Sequence, residues 1–94
     1  MRPRIEIEYC VGCRFVVRAS WVAQELLFTF GEKLGEVALK PGSGGVFRVS
    51  LNGELLFDRK EEGRFPDPRE LRQQIRDAIA PDMSLGHSEP DEGA

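Results

Sequence analysis

Residues 5–21 read IEIEYCVGCRFVVRASW, and the fold turns on how this stretch is divided. Ile5 and Ile7 alternate with Glu6 and Glu8. That period of two marks a strand with one apolar face and one wet face. From Arg14 the period changes. Phe15, Ala19, Val22, Leu26 and Phe30 fall at helical spacing, and Val16, Ala23 and Leu27 widen the stripe. Between the two patterns stand Cys10 and Cys13, the only cysteines of the 94-residue chain. The pair is placed at the N-terminus of the first helix, with Gly31 or Gly35 as its stop.

Downstream, residues 36–39 read as a short strand and residues 40–45, KPGSGG, as a loop. This loop lacks the Gly-Lys-Ser/Thr ending of a phosphate loop and is read as a connection passing beside the cysteines. Asn52-Gly53 separates two apolar runs and predicts a type I′ hairpin. A two-residue turn opposes Leu51 to Glu54 and Val49 to Leu56. Arg59 to Glu62 read as a solvated turn, and Phe65 as a lid on the core. Asp67 is set to cap a second helix, with Pro68 at its first position and Glu70 completing a capping box. Its buried stripe is Leu71, Ile75, Ala78 and Ile79, and Pro81 ends it. The order is β-α-β-β-β-α, a mixed α/β sheet of four strands with two helices. Residues 1–81 form one domain, and the acidic, aperiodic residues 82–94 read as a disordered tail.

The composition narrows the function. Net charge is −3 and no basic run exceeds Arg59-Lys60, which argues against a nucleic-acid binder. No apolar stretch approaches the about 18 residues that span a bilayer. The N-terminus lacks the apolar core of a signal peptide, so the chain is expected to be cytoplasmic. In a reducing compartment, a Cys-x-x-Cys beside a βαβ pattern points to thiol–disulfide chemistry. Unpaired amides of a helix's first turn would stabilise a thiolate, Arg14 would add to this and Gly12 would leave room for a partner's backbone. No cofactor is implied. A closed zinc site would need more ligands than two cysteines and His87 supply. Trp21 and Phe28 fall off the main stripe and would mark a partner surface if exposed.

Residues 5–13, IEIEYCVGC, and residues 44–67, GGVFRVSLNGELLFDRKEEGRFPD, resemble the selenoprotein W family, within the wider group of selenoprotein W, T and H-like proteins. The spacing from motif to hairpin also fits, and the resemblance covers about residues 3–80. It implies a thioredoxin-like β-α-β-β-β-α domain. It further implies a redox role for Cys10 and Cys13, supported by Gly12 and Arg14. Glutathione or thioredoxin-type reductants are the implied partners, and the substrate is an unknown protein. The family's selenocysteine takes the second motif position, here Cys13, whereas thioredoxin logic makes the first cysteine the attacker. The reading favours Cys10, because the first cysteine of such a turn is usually the exposed one. Here Gly44-Gly45 precedes the antiparallel strand, where thioredoxins keep a proline. Two functional readings follow: a thiol–disulfide oxidoreductase or thiol-dependent antioxidant, or a non-enzymatic adaptor or redox sensor on the same fold.

Overall fold

The computed structural model describes residues 2–86. The elements run β1 (Arg4–Cys10), α1 (Val16–Phe30), β2 (Glu36–Gly42), β3 (Phe47–Leu51), β4 (Glu54–Asp58), α2 (Arg59–Glu62) and α3 (Pro68–Ile79), with a 3-10 turn at Gly31–Lys33. The expected mixed four-stranded sheet is present, in the order β2-β1-β3-β4. β1 runs parallel to β2 and antiparallel to β3. The two long helices are also present, and the solvated turn at Arg59 to Glu62 proves to be a third, short helix. Asp58 starts it by accepting a hydrogen bond from the Lys60 amide at 3.0 Å, and Gly63 closes it with φ 72°.

The core lies between the sheet and the two long helices. Ile5 and Ile7 are fully buried there with Ala19, Leu26, Phe47, Val49, Leu71 and Ile75. The wet face of β1 carries Glu6 and Glu8, which join Arg48, Ser50 and Leu55 around an open concavity. Arg48 pairs there with Glu8 and with Asp58. A half-buried ion pair ties α1 to α3: Arg72 Nη1 donates to Glu25 Oε1 at 2.8 Å.

Several boundaries differ from the sequence reading. β2 extends through Lys40 and Pro41 to Gly42, residues assigned to the loop. It is an edge strand bonded only to β1, so a proline without an N–H is tolerated. The hairpin turn is as predicted, with Asn52 at φ 51° and Gly53 at φ 86°. Leu51 does face Glu54, but Val49 faces Phe57 rather than Leu56, because a bulge interrupts the ladder. The extra residue lets Leu56 and Phe57 both pack toward the core while Leu55 stays out. In α3, Ala78 is exposed and Arg72 is buried instead. Asp67 caps α3 through the Arg69 amide, and Glu70 turns away to pair with Arg64, so the capping box does not close. Residues 82–86, read as the start of a tail, run on with the fold: Met83 packs against the core and Leu85 is buried. Residues 87–94, with His87, lie outside the described residues.

Candidate functional site

The site is built at the end of the sheet where β1 stops. Cys10 is the last residue of β1, and its amide donates to the Val46 carbonyl at 2.8 Å. The next amide, from Val11, donates to the Gly42 carbonyl at 3.1 Å. The loop between β2 and β3 therefore runs beside the cysteines, as the sequence suggested. Gly42 must be small here. A Cβ at that position would stand 2.8 Å from Val46 Cγ1 and 3.0 Å from a Glu8 oxygen.

Cys10 and Cys13 are joined as a disulfide, with Cα atoms 5.3 Å apart, inside the ordinary span of such a bond. They are not on the first turn of α1. The chain makes a separate turn over residues 11–15, closed by Arg14 N–H to the Val11 carbonyl and Phe15 N–H to the Cys10 carbonyl. Arg14 adopts φ 60°, a left-handed conformation that interrupts any right-handed helix, and α1 starts only at Val16. The motif thus stands before the first turn of α1, and the expected bed of helix amides does not begin within it. One amide takes its place: Cys13 N–H donates to Cys10 Sγ at 3.3 Å.

The exposure of the pair is the opposite of that expected from sequence. Cys10 is only 3% exposed, whereas Cys13 is exposed on the turn. The reason is topological: Cys10 still belongs to a central strand, and Cys13 sits at the outer limit of the turn that leaves it. The accessible sulfur therefore occupies the position that the resemblance gives to selenocysteine. Gly12 is exposed, with nothing within 4 Å of where its Cβ would stand. A partner backbone has room to approach there.

Behind the turn lies an aromatic cluster. The Phe65 ring packs edge-on with Phe15 at 4.9 Å and with Phe47 at 5.4 Å between centroids. The lid role read for Phe65 is thus tied to the motif through Phe15. Two guanidinium groups cover this cluster: Arg18 lies 4.1 Å from the Phe65 centroid, and Arg59 lies 4.9 Å from it. Sequence reasoning missed Arg59 and Lys60 as neighbours of the motif. Only the sheet order, which brings the end of β4 to the end of β1, places them there. Among the described residues no group of three or more Cys, His, Asp and Glu side chains is arranged to hold a metal ion. No helix among them is long and apolar enough to cross a membrane.

An open mixed sheet with a Cys-x-x-Cys where its parallel strand pair ends defines the selenoprotein W-like class. The chain belongs to the Rdx family, whose model matches residues 4–77. It is 35% identical over 77 residues to migration and invasion enhancer 1 of Bos taurus, covering 80% of this chain and 64% of that protein. The chain thus spans just under two thirds of that relative's length. A SelT-like protein of Arabidopsis thaliana is 58% identical over 33 residues, covering 35% of this chain and 16% of that protein. Among solved structures, a Bordetella parapertussis protein shares 54% identity with a TM-score of 0.82, covering 84% of this chain and all of that one (100%). A selenoprotein W-related protein from Vibrio cholerae shares 44% identity with a TM-score of 0.81, covering 84% and 99%.

Proposed function

We propose that this chain is a small thiol–disulfide exchange protein of thioredoxin-like kind, in which Cys13 attacks and Cys10 resolves. The observation that carries the reading is the asymmetry of the pair: Cys13 is exposed, Cys10 is 3% exposed, and the Cys13 amide is aimed at the Cys10 sulfur. In the dithiol form, the Cys13 thiolate attacks one sulfur of a partner disulfide. A Cys13–partner bond forms, and the partner's other sulfur leaves as a thiolate. The Cys10 thiolate then attacks Cys13 Sγ, closes the intramolecular disulfide and releases the second partner thiolate. Two electrons pass to the partner, and the two thiol protons of Cys10 and Cys13 are given up. In the resolving step and its reverse, the Cys13 N–H is placed to stabilise charge on Cys10 Sγ.

Glutathione or a thioredoxin-type dithiol would return the pair to the reduced form, in a cytoplasmic setting. The second reading, a redox-sensing adaptor, draws on exposed apolar residues of α1, with Val17 71% and Phe28 86% exposed. The mammalian relatives named migration and invasion enhancer 1 are consistent with work done through protein partners. A titration in glutathione buffers, followed by differential alkylation and intact mass, separates the two. Reversible interconversion within the cytosolic range supports exchange. Thiols that stay reduced and alkylate at ordinary rates would leave the adaptor reading.

A further inference from the structure

The basic residues of this acidic chain are unevenly employed. Arg4, Lys40, Arg48, Arg64, Arg69, Arg72 and Arg76 all stand in ion pairs. Arg2, Arg14, Arg18, Lys33, Arg59 and Lys60 make no ion pair among the described residues. Four of these six, Arg14, Arg18, Arg59 and Lys60, lie toward the end of the sheet that carries the disulfide. Arg14 follows Cys13 directly. Arg18 and Arg59 cover the Phe65 ring, and Arg59 also lies 5.2 Å from the centroid of Phe15, whose amide bonds to the Cys10 carbonyl. The Lys60 side chain passes over Gly44 and Gly45, standing 3.8 Å from where a Cβ of Gly45 would be, in the loop that bonds to Cys10 and Val11.

The acids nearest in sequence are turned to other business. Asp58 and Glu8 are held by Arg48. Glu61 lines the concavity on the open face of the sheet, and Glu62 lines a groove with Glu70 and Asp77. A chain of net charge −3 thus gathers four cations without ion pairs at the end that carries its accessible sulfur, while the neighbouring Glu61 and Glu62 line other surfaces. Clustered like charges repel one another, and an anionic partner would relieve this.

From this we infer that the disulfide partner is a polypeptide whose cysteine is flanked by acidic residues, drawn to Cys13 by Arg14, Arg18, Arg59 and Lys60. This rests on the exchange reading above. Exposed Val11, Val16 and Val17 border the same turn and offer apolar contact to a chain rather than to a free anion. The charges come from the turn, α1 and α2, so they suit an extended segment laid across the turn.

The test uses the full chain in its dithiol form and two disulfide-bridged model peptides, one with glutamates flanking its cysteines and one with lysines. Exchange is followed by intact mass at low and high salt. The glutamate peptide is expected to react roughly tenfold faster at low ionic strength, with the advantage lost as salt screens it. Lys60→Glu, on an exposed side chain, should cut that ratio by more than half. Equal rates for the two peptides would overturn the docking inference and leave the exchange reading standing. Failure of both peptides to exchange would remove the exchange reading and this inference with it. Oxidised glutathione outpacing the acidic peptide at equal concentration would overturn a polypeptide as the occupant.

Discussion

The backbone amide of Cys13 donates to the sulfur of Cys10 across 3.3 Å. This contact connects the exposed cysteine to the buried one, and the roles proposed for them can be tested by substitution. Cys10→Ser should leave Cys13 free to attack with no resolver, so a mixed disulfide accumulates and is seen by intact mass. Cys13→Ser should trap little, because Cys10 is shielded. In the reduced protein, Cys13 should alkylate at least about an order of magnitude faster than Cys10. Trapping confined to Cys13→Ser would reverse the assignment.

The glycines of the site are expected to separate function from folding. Gly12→Ala meets open space, so its melting temperature should match the parent while exchange with a protein disulfide slows. Gly42→Ala pushes against the buried Val46 and against Glu8, and should cost about 1–3 kcal/mol by overpacking. Thermal unfolding and exchange rates on both variants check the contrast.

The Arg72–Glu25 pair behaves differently from its two ends. Glu25→Ala strands a buried guanidinium whose Nε already lacks a hydrogen-bond partner. The loss should be about 2 kcal/mol, below the figure for a fully buried pair because Glu25 is a third exposed. Arg72→Met removes the charge and keeps the packing, so it should cost less. Urea unfolding of the two variants gives the order directly.

Acid should weaken the N-cap of α3. The Asp67 carboxyl is held below the ordinary carboxylate range, first by its side-chain hydrogen bond with Arg69 and then by the Arg69 amide. A carboxyl with a depressed folded value adds stability above its unfolded value, near 4, and loses it as pH falls through the folded value. Asp67→Ala should therefore cost about 1 kcal/mol at neutral pH, and the difference from the parent should shrink on acidification. Stability curves at pH 7 and at about pH 2.5 would reveal a constant gap if the cap were irrelevant.

The packing of Met83 and Leu85 leads us to expect that residues beyond Pro81 stabilise the fold. Leu85 is 8% exposed, so Leu85→Ala should cost about 2 kcal/mol. A chain ending at residue 81 should melt measurably lower than one ending at residue 86. Equal melting temperatures would return residues 82–86 to the tail.

Much of this was legible in local patterns. The alternation of Ile5 and Ile7, the stripe from Ala19 to Phe30 and the Asn52-Gly53 turn each depend on neighbours in sequence, and each yields its element. What escaped depends on contacts between distant segments. The bulge at Leu56 follows from which side chains the core accepts, and the burial of Arg72 from a carboxylate on another helix. The motif itself was read correctly as a pair, but its seat and its exposure were not. Arg14 in a left-handed conformation has no signature in composition, and Cys10 is hidden because it ends a central strand. The four cations toward the disulfide end of the sheet were invisible for the same reason: Arg14 and Lys60 are 46 positions apart in the chain.

Pro41 bears on more than the length of β2. An edge strand is where one chain can recruit another by extending its sheet, the usual first step of aggregation. Pro41 withholds one backbone donor from that edge, and the charged side chains of Glu36 and Lys40 stand along it, engaged with Arg4 and Glu6. An incoming strand would find a broken ladder and a row of charges. Under the proposed exchange with other polypeptides, this sheet edge does not zip onto them, and encounters are left to the turn where the sulfur is.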